Sequence, residues 1–168
     1  MQSLLDLFIS LKQANNMSLF ENMHMNLALE VAKEAASRGE VPVGAVVVHG
    51  PTDKVVSVAS NRVMELKDPT AHAEMLAIRE ACKVQNNERL LECDLYVTLE
   101  PCPMCAQAIS FARIRRLYYA AEDKKGGGVD NGAIVFNAKS CHHKPEVYGD
   151  IMSGPSQSLL KDFFKERR

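Results

Sequence analysis

Apolar residues first recur at helical spacing at Leu27, Ala28, Val31, Ala32 and Ala35, and Gly39 follows where a C-terminal cap belongs. That pattern predicts a first helix. The run VPVGAVVVHG is dense in β-branched residues, GPTD carries turn chemistry and KVVSVASN resumes the strand pattern, so a β-hairpin comes next. Asp68 and Thr70 then supply start signals for AHAEMLAIREACK, a helix whose Met75, Ile78 and Cys82 turn toward a core. DLYVTLE reads as a buried strand, and Pro101 as the first turn of a helix CPMCAQAISFAR. RLYYAAE is a further strand, KKGGG a glycine-rich loop, NGAIVFNA a short helix and EVYGDI a last strand. SLLKDFFKERR closes the chain as an amphipathic helix with basic residues at its C-terminal end, as the helix dipole favours. The order predicts an α/β fold: a three-layer α/β/α sandwich around one mixed five-stranded sheet.

Residues 1 to 22 are read as an N-terminal extension, disordered or not native, since Met17, Met23 and Met25 each offer an alternative start. Residues 23 to 168 are then a single domain, and a chain of 168 residues buries enough surface to need no disulfides. The apolar run in MQSLLDLFISLKQANN has no positive segment before it, is interrupted by Asp6 and lacks a small-residue cleavage site, so neither a secretory signal nor a membrane span is expected. Five cysteines without a secretory signal point to a reducing compartment, the cytoplasm, where close cysteines hold metal or do chemistry more often than they form bridges. A net charge of −1 argues neither for nor against nucleic acid, so any nucleic-acid face has to be local.

The candidate chemistry sits at two helix starts: TAHAE, with His72 and Glu74, and EPCPMC, with Cys102 and Cys105. Cys102 and Cys105, at i and i+3, share a helix face, and a helix N-terminus favours the thiolate that zinc requires. His72 and Glu74, at i and i+2, would point apart inside a regular helix, so His72 has to sit at the very start, where the chain is still turning. One imidazole and two thiolates complete a zinc tetrahedron only with water in the fourth place, which is the open, catalytic pattern and leaves Glu74 free as a base. Alone, Cys-x-x-Cys equally suits a redox pair. Together, His-x-Glu and Pro-Cys-x-x-Cys form the general signature of zinc deaminases.

The segments EVPVGAVVV, DPTAHAEMLAIR, LYVTLEPCPMCAQAI, RIRRLYYAAEDKKGG and LLKDFFKERR resemble the cytidine-deaminase-like zinc hydrolases, and within them the bacterial tRNA-specific adenosine deaminases. The resemblance runs in family order from about Met25 to the C-terminus. It implies one Zn2+ per subunit on His72, Cys102 and Cys105, with Glu74 shuttling protons. It also places Val43, Asn61, Leu99 and the backbone of Ala73 around the nucleoside, and Phe164 beside the bound loop. The implied reaction is hydrolytic deamination of adenosine to inosine at the wobble position of a tRNA anticodon, by a homodimer. The hairpin turn around GPTDK is longer than usual for the family, and Ser60 stands where many relatives carry an aromatic residue.

Candidate RNA contacts are Arg113, Arg115 and Arg116, then Asp123, Lys124 and Lys125, then Lys165, Arg167 and Arg168; such charge runs also serve as plain solvated faces. Cys82 and Cys93 fit apolar patterns and belong to the core, and Asn61 also suits a strand-end turn. Cys141, His142 and His143 in SCHHK offer a fourth ligand that would close the metal site into a structural one. Two further readings stay open: a guanine or cytosine deaminase acting on free bases or nucleosides, because PTAHAE and PCPMC are shared with these enzymes, and a zinc-stabilised RNA-binding module without turnover.

Overall fold

The computed structural model describes residues 2–167, and for residues 2–18 and residue 20 the backbone alone. Its elements are α1 (Gln2–Ser37), β1 (Gly44–His49), β2 (Lys54–Ser60), α2 (Val63–Leu66), α3 (Ala73–Gln85), β3 (Cys93–Leu99), α4 (Pro103–Phe111), β4 (Arg116–Ala121), a 3-10 turn at Val135–Asn137, β5 (Glu146–Tyr148) and α5 (Ser153–Lys165). The five strands form one sheet in the order β2-β1-β3-β4-β5. β1 is antiparallel to β2 and β3, whereas β3, β4 and β5 run parallel. The sheet is therefore mixed, as expected.

Side chains alternate across each strand, and each face is covered. Val46, Val48, Tyr96, Tyr118 and Ala120 pack on Met25, Ala28 and Leu29 of α1, with Ile151 and Met152 leading into α5 beside them. Ala45, Val47, Leu95, Val97, Leu117 and Tyr119 face Ala77, Ile78 and Ala81 of α3 and Ala106 and Ile109 of α4. Small residues bring α1 close: a Cβ built on Gly44 would lie 2.0 Å from the Ala28 carbonyl oxygen. Three layers result.

Local differences from the sequence reading have local causes. The first helix, expected from Leu27, is the C-terminal part of α1, which begins at Gln2. Helix α4 starts at Pro103, not Pro101; Cys102 is its N-cap in extended conformation, and Pro103 takes the first helical position, where a missing N–H costs nothing. The segment after β2 forms the four-residue α2, closed by Lys67 in the left-handed region. NGAIVFNA contains only a 3-10 turn, and EVYGDI pairs over Glu146–Tyr148 alone. Among the described residues no helix is long and apolar enough to cross a membrane.

Candidate active site

Two strand-to-helix connections meet at one end of the sheet. β3 leads through Glu100 and Pro101 into α4, and the loop after α2 leads into α3. His72 is the N-cap of α3 (φ −71°, ψ 151°) and Cys102 the N-cap of α4 (φ −67°, ψ 169°). Because His72 is still extended, its side chain does not share the helical face that the i to i+2 spacing would have denied it. Both helices point their positive ends at the site, which favours thiolate there.

His72 Nδ1 lies 3.6 Å from Cys102 Sγ and 3.5 Å from Cys105 Sγ, and the three donor atoms are all within 4.8 Å of one another. A tetrahedral zinc with usual Zn–S and Zn–N bond lengths has N···S edges of about 3.6 Å, so the donors already stand at the spacing the ion requires. The residues fit zinc without rearrangement. The thiol of Cys105 and the imidazole of His72 hold Cys102 down to about 4, the hydrogen bond from Cys105 being the larger cause.

Glu74, the second residue of α3, is 4% exposed. Burial pushes its carboxyl up to about 7, with the charge of Cys102 adding to the effect. A carboxyl held near neutrality can both accept and return a proton.

A cavity of about 170 Å³ opens onto these groups, lined by Val41, Val43, Asn61, His72, Glu74, Leu99, Glu100, Cys102 and Asp123. It is smaller than the roughly 300–1,000 Å³ typical of sites for drug-sized ligands, and its scale suits one ring system. Val43, Asn61 and Leu99 thus share one cavity with His72, Glu74 and Cys102, and Asn61 also caps the hairpin by donating its N–H to the Val43 carbonyl at 3.0 Å. Ala73 is buried directly behind His72.

Val41 and Glu100 were not among the sequence candidates. Val41 and Val43 flank Pro42 in a tight turn, with the Val43 N–H on the Val41 carbonyl at 2.8 Å, just before β1. Glu100 was hidden because its partners lie more than twenty residues away. Its carboxylate accepts the backbone N–H groups of Asp123, Val129, Asp130 and Asn131 and the side-chain amide of Asn131, at 2.7 to 3.2 Å. Burial opposes its charge, but these donors prevail and hold the carboxyl below its ordinary range.

The candidate RNA contacts separate. Asp123 lines the cavity, its carboxylate accepts the N–H groups of Lys125 and Gly126, and the exposed Lys124 and Lys125 directly follow it in the chain. Arg113, Arg115 and Arg116 do not join them. Arg115 makes a two-pronged ion pair with Asp94 at 2.6 and 2.8 Å, Arg116 pairs with Glu146 at 2.8 Å, and Arg113 donates to the His142 carbonyl at 2.9 Å. Asp94 is the second residue of β3, whereas Cys102 and Cys105 follow the strand's far end, about 17 Å away along it. None of the three arginines is among the residues that line the cavity.

Phe164 is 48% exposed and packs edge-on against Phe163, outside the cavity lining. Arg167 lies 3.7 Å over the Phe163 ring, Lys165 ends α5, and Arg168 falls outside the described residues. Cys141 bonds Ser110 and the His143 carbonyl, and His143 bonds the Ile114 carbonyl, so SCHHK holds its own loop rather than a metal.

An imidazole and two thiolates at paired helix starts, with a buried carboxyl beside them, define a zinc-dependent hydrolase. The chain belongs to the family of the cytidine and deoxycytidylate deaminase zinc-binding region, whose model matches residues 20–121. Over 144 residues it is 53% identical to a tRNA-specific adenosine deaminase of Agrobacterium fabrum, covering 86% of this chain and 93% of that one. A solved structure from studies of A-to-I editing by tRNA:A34 deaminases at the wobble position superposes with a TM-score of 0.80 at 52% identity, covering 82% of this chain and 99% of that chain. A guanine deaminase from Bacillus subtilis matches less extensively, with a TM-score of 0.57 and 42% identity over 60% of this chain and 63% of its own.

Proposed function

We propose that the protein converts adenosine to inosine at the wobble position of a tRNA anticodon, with release of ammonia. The observation that carries the reading is a buried Glu74 beside a ready-spaced His72, Cys102 and Cys105, in a chain 53% identical to a tRNA-specific adenosine deaminase over nearly that protein's whole length. Zinc on those three ligands supplies an acidified water at neutral pH. Glu74 takes a proton from the attacking water and hands it to N1 of adenine, then takes the proton of the hydroxyl now on C6 and delivers it to the amino group, which leaves as ammonia while the C6 carbonyl forms, so one carboxyl serves as base and as acid. Val43, Asn61 and Leu99 hold the base, and their enclosure keeps bulk water from competing.

A cavity that admits one ring system requires the base to leave any stack, which suits a single-stranded loop. The exposed Lys124 and Lys125, next to the cavity-lining Asp123, and the basic end of α5 are the phosphate contacts of this reading. The proposal extends to a cytoplasmic homodimer, which the 69% exposed Phe111 on α4 supports, and to residues 1–22 as an extension of a domain spanning 23–168, in line with the burial of His24 and Met25.

The test is ammonia release from guanine, cytosine, adenosine and an anticodon stem-loop with adenosine at the wobble position. The stem-loop is expected to be the substrate. Deamination of free guanine but not of the stem-loop would overturn the reading in favour of a base deaminase, and sedimentation as a monomer alone would overturn the dimer.

A further inference from the structure

The buried carboxylate of Glu100 is used by nothing in the mechanism, yet it is the most heavily bonded acid described. One oxygen accepts the consecutive N–H groups of Val129, Asp130 and Asn131 at 2.9 to 3.2 Å; the other accepts the Asp123 N–H at 3.0 Å and the Asn131 side-chain amide at 2.7 Å. The two ends of a nine-residue loop, Asp123 to Asn131, are thus drawn onto one carboxylate.

The loop is pinned a second time. Gly128 donates its N–H to the Pro101 carbonyl at 2.8 Å and receives the Val135 N–H on its own carbonyl at 2.8 Å. A Cβ on Gly128 would lie 2.6 Å from the Pro103 nitrogen and 2.8 Å from the Cys102 carbonyl carbon, and one on Gly127 would lie 2.5 Å from both a Glu100 oxygen and the Asp123 carbonyl. The glycine run therefore exists to let the loop backbone lie against the start of α4. What the loop carries is Asp123 on the cavity wall and, directly after it, the exposed Lys124 and Lys125.

We propose that Glu100 is a positioning residue: its carboxylate clamps the 123–131 loop to the metal-bearing turn and thereby sets where Asp123 and the two lysines meet the substrate. A carboxylate is required because it alone presents two acceptors and no donor to five N–H groups. Glutamine would turn an N–H toward the Asp123 N–H or the Asn131 amide, opening one end of the loop while leaving volume unchanged. The proposal rests on the deaminase reading of the site.

The test compares wild type, Glu100→Gln and Asn131→Ala on whichever substrate of the ammonia-release panel the wild type turns over, so that failure of the adenosine reading leaves the comparison intact. Zinc per chain and backbone hydrogen exchange are measured in parallel. Glu100→Gln is expected to keep its zinc, to exchange the Asp123, Val129, Asp130 and Asn131 amides faster, and to lose about 10- to 100-fold in kcat/KM through a raised KM. Asn131→Ala removes one donor and should shift KM the same way by less, with no added effect in the Glu100→Gln background. A merely structural role would lower the active fraction, and so kcat, at unchanged KM. That outcome, loss of zinc from Glu100→Gln, or faster loop exchange with wild-type kinetics would each overturn the proposal.

Discussion

Arg115 separates two accounts of the basic segment RIRR, and truncating it to alanine distinguishes them. Its guanidinium meets Asp94 with Nε to Oδ1 at 2.8 Å and a terminal nitrogen to Oδ2 at 2.6 Å, the fork geometry of the stronger ion pairs. The Asp94 side chain is 6% exposed and that of Arg115 33%. The guanidinium also covers Gly50, where a Cβ would fall 1.8 Å from it. Removing one partner of a fully buried pair costs about 3–5 kcal/mol, and an exposed pair contributes about 0–1 kcal/mol. With one partner buried and the other a third exposed, Arg115→Ala should cost about 2 kcal/mol. For a domain of this size that is a fall in Tm of roughly 4–8 °C. Replacing both residues, Asp94→Leu with Arg115→Met, should recover much of the loss, since no charge is then left buried alone.

The second measurement is anticodon stem-loop affinity against salt. Each phosphate contact to a single strand contributes about 0.7 to the slope of log affinity on log salt. Arg115→Ala should leave the slope unchanged, and Lys124→Ala should reduce it by about 0.7 without loss of stability. An Arg115→Ala protein of full stability whose slope drops by about 0.7 would show that the arginine holds RNA and that its pairing with Asp94 is incidental.

Three other perturbations follow from the geometry. Glu74→Gln preserves shape and removes the proton carrier, so metal analysis should find unchanged zinc while kcat falls by about 10²–10⁴-fold or more. Cys105→Ala leaves only two ligands of the three, and zinc content and turnover should both be lost; retention of stoichiometric zinc would mean that another residue completes the site. Gly44→Ala forces a Cβ to within 2.0 Å of the Ala28 carbonyl oxygen, so urea unfolding should show destabilisation of about 1–3 kcal/mol, with a wild-type midpoint refuting the tight α1 to β1 packing.

Much of the fold was legible because each element carries its own period. The β-branched runs at 41–48 and 54–60, the helical spacing of Ala28, Ala32 and Ala35, and the near-continuous apolar run at 93–99, buried along its length, are local patterns that tertiary packing reinforced. Element ends were less legible. Whether Pro101 or Pro103 opens α4 depends on which residue turns extended to bind, and both prolines satisfy the same local rule.

The candidate donors His72, Cys102 and Cys105, whose ligand atoms the fold brings within 4.8 Å of one another, were readable as a group because zinc chemistry restricts donor types and a helix start restricts their spacing. Sequence position says nothing, however, about which end of a strand a charge occupies in space. Arg115 and Lys124 are nine residues apart in the chain, yet β4 runs between them and carries one to the Asp94 end of the sheet and the other past the cavity-lining Asp123. Glu100 shows the same limit: between a strand and a Pro-Cys motif it reads as one more surface acid. Only the return of the chain over twenty residues later, bringing five unpaired N–H groups to it, makes it the anchor of the loop, because a carboxylate buried on folding must find donors wherever the topology delivers them.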